Sequence, residues 1–136
     1  MTYSETVKLK MKSQSFSNIT NQVEDIVRRS GVENGICTVF GIGSTSAVLI
    51  NEDEPMLLQD LKNSLEKFVP EREIYQHSEN AHSHIKSTFI GNSQTVPIKE
   101  GKLLLGTWQE VIAANFDVDS REREFVVTVV GEQLIK

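Results

Sequence analysis

The amino-acid sequence predicts one α+β domain with a largely antiparallel β-sheet and two main helices. Three observations support this fold class: a lysine-rich strand pattern near the start, two amphipathic segments with helix-ending residues, and a series of strand-like segments joined by turn signals. A chain of 136 residues has the length of one domain and should bury about two-thirds of its unfolded surface. The sequence shows no internal repeat and no linker, so residues 1–136 are treated as one domain.

The first predicted elements are a strand and a helix. Residues 5–13 alternate apolar side chains with lysines, which is typical of a half-exposed strand. Residues 18–31 place apolar side chains at helical spacing, with two arginines in the last turn and Gly31 beyond the end. We therefore expect the lysines to face water and the apolar side of the helix to face the core.

The next segment predicts buried strands followed by a second helix. Residues 35–51 are apolar at both ends and contain Gly41, Gly43 and several hydroxyl residues between them. They predict two strands joined by a tight turn, or one strand that is broken there. The second helix is expected from Pro55, which suits the first helical position, to Pro70, which ends it.

Residues 71–83 are polar and form the one long loop that the sequence predicts. Long loops in compact domains are often functional. The later segments are strand-like, with turn signals between them: residues 84–91, 94–106, 107–117 and 124–132. Strands in hairpin succession favour an α+β sheet over alternating βαβ units.

Composition argues against several classes of protein. The net charge is -5 and no basic run exceeds two residues, so a nucleic-acid partner is not expected. No stretch approaches the roughly 18 apolar residues of a membrane helix, so no membrane partner is expected either. The single cysteine, Cys37, cannot form an internal disulfide, which favours a reducing compartment and a cytoplasmic location.

Three histidines lie within eight positions: His77, His82 and His84. Imidazole is a preferred ligand of zinc, and His82 and His84 would project to the same side of an extended segment. His77 could approach from across the loop and complete a three-ligand site with one open position. Spacing alone leaves the alternative open, in which the histidines are exposed in the loop and one is hydrogen-bonded near the start of a strand.

Charged residues near this cluster could complete a catalytic site. Glu52 follows an apolar strand, where partial desolvation would suit a general base. Asp60 lies near the start of the second helix, where an acidic residue more simply complements the helix dipole. Lys86 follows His82 and His84 at intervals of two residues, so on a strand all three side chains would point to the same side. We therefore expect Lys86 to hold an anionic substrate beside the histidines.

Two further segments could contact a substrate. The backbone around Ser44 and Thr45 could cradle a phosphate, although a tight turn with positive φ at Gly43 is the more economical interpretation. Trp108, the only tryptophan, is expected to anchor a core or a subunit interface in preference to stacking on a substrate.

Five segments together resemble the YjbQ-like family, whose members are often described as secondary thiamine-phosphate synthases. The segments are GSTSAVLINE (43–52), Tyr75-Gln76-His77, AHSHIKS (81–87), GTWQ (106–109) and VVGE (129–132). They span nearly the whole chain and follow the family's order.

The resemblance implies a mixed β-sheet curled into a half-barrel with helices against it, and a homotrimer with sites near the subunit boundaries. Two histidines typical of the family fall on His77 and His84. A further histidine of many members falls on Gly43 here, and His82 is the candidate to replace it.

The activity that the resemblance implies joins a pyrimidine diphosphate to a thiazole phosphate and releases pyrophosphate. A divalent metal ion, zinc or magnesium, and a lysine would stabilise the leaving diphosphate. Expected site residues for this small phosphorylated metabolite are Glu52 and Lys86 for catalysis, and Ser44, Thr45, Asn51, Trp108 and Gln109 for binding. Two alternatives stay open: a non-enzymatic trimeric protein that binds a metal or metabolite, and a metal-dependent hydrolase of a phosphorylated metabolite.

Overall fold

The computed structural model describes residues 1–133, which form three helices and two β-sheets. The helices are α1 (Thr20–Ser30), α2 (Pro55–Phe68) and α3 (Ala81–Ile90). The strands are β1 (Thr2–Met11), β2 (Ser15–Asn18), β3 (Val32–Ile42), β4 (Ser46–Asn51), β5 (Ser93–Lys99), β6 (Lys102–Leu103), β7 (Glu110–Asn115) and β8 (Arg121–Gln133).

One sheet has the strand order β1-β8-β3-β5-β6 and the other has the order β2-β7-β4. The strand pairings within residues 1–133 are all antiparallel. The sheets form a curled half-barrel with the helices against it, which confirms the α+β fold class. Across the described part of the chain, no helix is both long enough and apolar enough to cross a bilayer.

Alternate residues of β8 build the centre of the larger core. Phe125, Val127 and Val129 are fully buried, whereas Val126 between them turns to the other face of the sheet. Cys37 on the adjacent β3 is fully buried as well, and burial raises the pKa of its thiol to about 12. The thiol therefore stays protonated and packs as a small hydrophobic group.

Helix α1 confirms the prediction for residues 18–31. Asn18 Oδ1 accepts a hydrogen bond from the N–H of Thr20 at 3.0 Å. At the other end, Gly31 has φ 72° and its N–H donates to the carbonyl of Arg28. This left-handed conformation favours glycine, so the chain turns sharply into β3.

Helix α2 also confirms its prediction. The carboxylate of Glu54 accepts hydrogen bonds from the N–H groups of Met56 and Leu57, and Pro55 occupies the first helical position. The leucines of one face pack on a smaller core over the three-stranded sheet: Leu58, Leu61 and Leu65. The helix therefore lies on the surface of this sheet.

The strand predicted for residues 84–91 is wrong, because these residues belong almost entirely to α3. The buried residues of α3 are Ala81, His82, Ser83, Lys86 and Ser87. Their spacing of three and four residues defines one helical face. Residues two apart on a helix point about 200° apart, so His82 and His84 do not share a direction.

The strand predicted for residues 107–117 begins later than expected. Strand β6 ends at Leu103 and β7 begins at Glu110. Trp108 and Gln109 therefore lie in the turn that precedes β7.

Candidate functional site

His77 and His84 meet where the polar loop enters α3. Asn80 caps this helix through its carbonyl, which accepts hydrogen bonds from the N–H groups of Ser83 and His84. Its side-chain Oδ1 lies 3.0 Å from His77 Nε2. The His77 and His84 rings stand edge to face, with centroids 5.3 Å apart and planes at 86°. One asparagine thus orients the first imidazole toward the second.

These two rings line a cavity of about 390 Å³. The other lining residues are mostly apolar or uncharged: Tyr75, Gln76, Ala81 and Ile85. Tyr75 is fixed by its hydroxyl, which donates to the carbonyl of Pro70 at 2.5 Å. The cavity therefore combines an imidazole pair with an apolar wall.

His84 also borders a second cavity, of about 380 Å³, on its other side. Gly43 and Ser44 of the turn between β3 and β4 form the opposite wall, and Ser87 lies between the two elements. The Ser87 hydroxyl donates to the carbonyl of Ser46, which fixes α3 to the start of β4. Ser44, a predicted binding residue, therefore lines one cavity together with His84.

His82 lies on the buried face of α3, away from this pair. It is 4% exposed, and its Nδ1 has no hydrogen-bond partner among residues 1–133. Burial and then the charge of Lys86 lower the pKa of His82, so its imidazole is neutral at pH 7. Over residues 1–133, no three His, Cys, Asp or Glu side chains are grouped to hold a metal ion. The structure does not bring the three predicted imidazoles together within one chain.

Lys86 shares the face of His82 and not that of His84. Its Nζ donates to Glu66 Oε2 at 3.2 Å and to Gln14 Oε1 at 3.4 Å, and its side chain is 5% exposed. The prediction that it points with His84 fails, because that argument needed an extended segment. Lys86 ties α3 to α2 in this chain.

The remaining predicted residues divide between the two ends of β4. Ser46 at one end pairs with Asn115 of β7, and Asn51 at the other end pairs with Glu110. At about 3.3 Å per residue these ends are about 17 Å apart. The candidates at the Asn51 end are Asn51, Glu52, Trp108 and Gln109. Trp108 is 71% exposed, and Gln109 Oε1 accepts a hydrogen bond from the N–H of Gly106.

A buried polar network near the Ser46 end was not predicted. Thr45 Oγ1 donates to Asp117 Oδ2 at 3.1 Å and accepts a hydrogen bond from Arg123, which also binds Asn115. Arg123 lies two residues before the buried Phe125 in β8, and side chains two apart on a strand point to the same face. The alternation along β8 therefore predicts that Arg123 is buried. The sequence alone did not suggest this, because arginine is seldom buried without a partner.

Comparison with known proteins decides the family. A model of the family described as "UPF0047 protein YjbQ-like" matches residues 5–132. The chain belongs to this YjbQ-like family. A UPF0047 protein of Methanothermobacter thermautotrophicus is 42% identical over 118 residues, which cover 85% of this chain and 82% of that protein. YjbQ of Salmonella typhimurium is 30% identical over 140 residues, which cover 97% of this chain and 100% of that protein.

Solved structures of YjbQ-like proteins have the same fold. A YbjQ-like protein of unknown function from Sulfolobus solfataricus superposes with a TM-score of 0.94 at 34% identity, over 97% of this chain and 99% of its own. A YjbQ/UPF0047 protein from Clostridium acetobutylicum gives 0.88 at 37% identity, over 93% and 99%. The family resemblance inferred from the five segments is therefore confirmed.

Proposed function

We propose that this YjbQ-like protein binds a small phosphorylated metabolite and a divalent metal ion at the His77–His84 cavity, and that it has secondary thiamine-phosphate synthase activity. The observation that carries the proposal is the approach of the two imidazoles, 5.3 Å between centroids, on the wall of a cavity. The sequence resemblance supplies the reaction.

The donor set fits a metal with nitrogen ligands. Two imidazoles bound to one tetrahedral zinc at about 2.0–2.1 Å would have their centroids about 5 Å apart. His77 Nε2 bonds Asn80, which leaves Nδ1 as the ligand atom. No group within residues 1–133 hydrogen-bonds the His84 ring, so both of its nitrogens are available. Imidazole favours zinc over magnesium, which prefers oxygen ligands.

The chain's own residues would orient the substrates in this reaction. Tyr75 and Ile85 provide an apolar wall against which a heteroaromatic ring can pack. His77 and His84 would hold the ion, and Asn80 would fix the direction of the first ring. A divalent ion there supplies charge neutralisation for the departing diphosphate.

We also propose that the protein is a homotrimer. Exposed apolar side chains on the outward face of β3 and β8 support this: Ile36 is 47% exposed, and Phe40 and Val130 are each 42% exposed. Side chains with hydroxyl groups lie in a row on the same face, on neighbouring strands: Ser4, Thr128, Thr38 and Thr95. This uncharged, partly apolar face can pack against a second copy of the chain. In such an assembly, Glu52 and Trp108 of one subunit could lie next to the imidazoles of another.

The trimer has a direct test. We expect light scattering to give the mass of three chains, and Phe40→Glu to give that of one, because a charge would be buried in the interface. Mixed trimers of His84→Ala and Trp108→Ala chains should recover turnover that neither variant has alone. A monomeric wild-type protein would refute the assembly.

One observation favours the alternative of a non-enzymatic, trimeric metal- or metabolite-binding protein. No carboxylate lines the His77–His84 cavity in the described residues, so one chain there lacks a general base. Metal analysis of protein purified without chelator separates the two functions. Metal at one ion per chain, with no turnover of the precursors or of a phosphate-ester panel, would establish binding alone, whereas ester turnover would indicate the hydrolase.

The site itself is tested with His77→Ala and His84→Ala. Both changes should abolish metal binding and precursor turnover, because each removes one of two ligands. Glu79→Gln is the matched control: it changes an exposed residue of the same loop and keeps both imidazoles. Turnover that survives His84→Ala would remove the site assignment.

We further propose a cytoplasmic location. The only cysteine, Cys37, is fully buried with its thiol pKa raised to about 12, so the fold depends on no intrachain disulfide. Cell fractionation with antibodies tests this, and recovery in an extracytoplasmic fraction would contradict it.

A further inference from the structure

Arg123 is a buried cation whose terminal nitrogen Nη1 stays unpaired in the described part of the chain. The residue is 7% exposed, and its Nε and Nη2 donate to Asn115 Oδ1 at 3.1 and 2.8 Å. Nη2 also donates to Thr45 Oγ1. Within residues 1–133 no group accepts a hydrogen bond from Nη1, yet Nη1 is not among the polar atoms sealed from solvent. This nitrogen is available to a ligand.

Nη1 lies against the turn between β3 and β4. A Cβ added at Gly43, where φ is +121°, would lie 2.5 Å from Nη1 and 3.8 Å from Ser46 Cβ. Ser46 is fully buried, its Oγ has no hydrogen-bond partner within residues 1–133, and this hydroxyl lies against Gly41. Because a side chain at position 43 would collide with this nitrogen, only glycine lets the guanidinium approach the turn so closely.

The same turn borders the cavity that His84 shares. Gly43 and Ser44 form one wall of this space of about 380 Å³. The N–H groups of Ser44 and Thr45 donate to no other group in the described chain. Two backbone donors therefore lie in a turn that contacts the Arg123 guanidinium and borders the cavity lined by His84.

The local charge favours an anion. Asp117 is the acidic group that faces Arg123, at 3.7 Å from Nη2, and it also accepts a hydrogen bond from Arg121 Nε at 3.0 Å. Two guanidinium groups against one carboxylate leave a net charge of about +1 there. A buried cation is costly without full pairing, and an oxyanion would supply the missing acceptor.

We propose that Arg123 and the backbone of the β3–β4 turn form an oxyanion subsite that binds a phosphate group of a small metabolite. The choice of a phosphorylated metabolite rests on the proposed function, but the subsite itself needs no metal. Guanidinium groups match phosphate geometry through paired N–H donors. Since Gly43 and Ser44 of this turn border a cavity that His84 also lines, a phosphate held here would lie near His84.

The first test uses metal-free wild-type protein labelled with ¹⁵N and titrated with inorganic phosphate and then pyrophosphate. We expect saturable shifts of the Ser44 and Thr45 amide signals and of the Arg123 side-chain signals, at unchanged ionic strength. Shifts confined to other regions, or no saturation at tens of millimolar phosphate, would overturn the subsite. This measurement needs no variant, so it stays decisive if a substitution unfolds the protein.

The second test measures phosphate binding by two variants that each lose one positive charge. Arg123→Gln should weaken phosphate binding about 10- to 100-fold, because it removes a charged hydrogen-bond donor. Arg28→Gln is the matched control, since its side chain on α1 is 71% exposed and pairs with Asp25; it should change binding less than about threefold. Equal weakening by both variants would show unspecific attraction and overturn the assignment.

The last comparison separates this subsite from the metal site. His77→Ala without metal should bind inorganic phosphate as wild type does, even if it binds no metal. Phosphate binding lost with His77→Ala but kept with Arg123→Gln would overturn the subsite and leave the imidazole pair as the anion site.

Discussion

Asn115 should be among the most important polar residues for stability, and Asn115→Ala tests this. Its side chain is fully buried. Oδ1 accepts two hydrogen bonds from Arg123 and one from the N–H of Asp117 at 3.1 Å, while Nδ2 donates to the carbonyl of Lys12 at 3.0 Å. Removal of this amide leaves a buried guanidinium without its main acceptor.

The expected loss follows from the bonds to the cation. Each hydrogen bond to a charged group is worth about 1.5–3 kcal/mol, and the two from Arg123 share one oxygen. A buried donor left without an acceptor costs about 1–3 kcal/mol, and more when it is charged, so we expect the free energy of unfolding to fall by about 3 kcal/mol.

Urea unfolding followed by circular dichroism measures this loss at a fixed chain concentration, because association would change the apparent stability. Asn92→Ala, an exposed asparagine, is the control and should cost less than about 0.5 kcal/mol. A loss below about 1 kcal/mol for Asn115→Ala would refute the account of a guanidinium held by this amide.

Three further predictions concern other parts of the fold. Phe125→Ala should cost about 3–5 kcal/mol in urea unfolding, because the ring is fully buried at the centre of β8; a loss near 1 kcal/mol would contradict its place in the core. The Cys37 thiol, with a pKa raised to about 12 by burial, should not react with a thiol reagent at pH 8 until urea unfolds the protein. Hydrogen bonds from Arg29 and Tyr3 lower the pKa of Glu5 from 4.5 to about 2, so its contribution to stability is complete above pH 4.5 and is lost as pH falls toward 2. Glu5→Gln should flatten the stability profile in that range, and an unchanged profile would contradict the pairing.

Helices with an apolar stripe and clear ends could be predicted from the sequence. Gly31 marks the end of α1 and Pro55 marks the start of α2, positions that the apolar pattern alone would leave uncertain. Both helices form as expected. Helix α3 could not be predicted in this way, because its buried face carries His82, Ser83, Lys86 and Ser87. Hydrophobic periodicity has no signal when a helix buries polar side chains.

The candidate site was predicted only in part for a related reason. His77 and His84 are close in sequence, and a short loop and one helical turn bring their rings together. The separation of Ser44 from Glu52 depends on the register of β4 and β7, which are far apart in the chain. The spacing of residues near the histidines does not show which residues of β4 pair with which residues of β7.

Zinc-edge X-ray absorption on metal-loaded protein tests the central claim most directly. Two imidazole nitrogens per zinc are expected at about 2.0–2.1 Å in the wild type and in Glu79→Gln, whereas His84→Ala should retain no zinc. Three imidazoles per zinc, or an all-oxygen shell, would contradict an ion held by His77 and His84 of one chain.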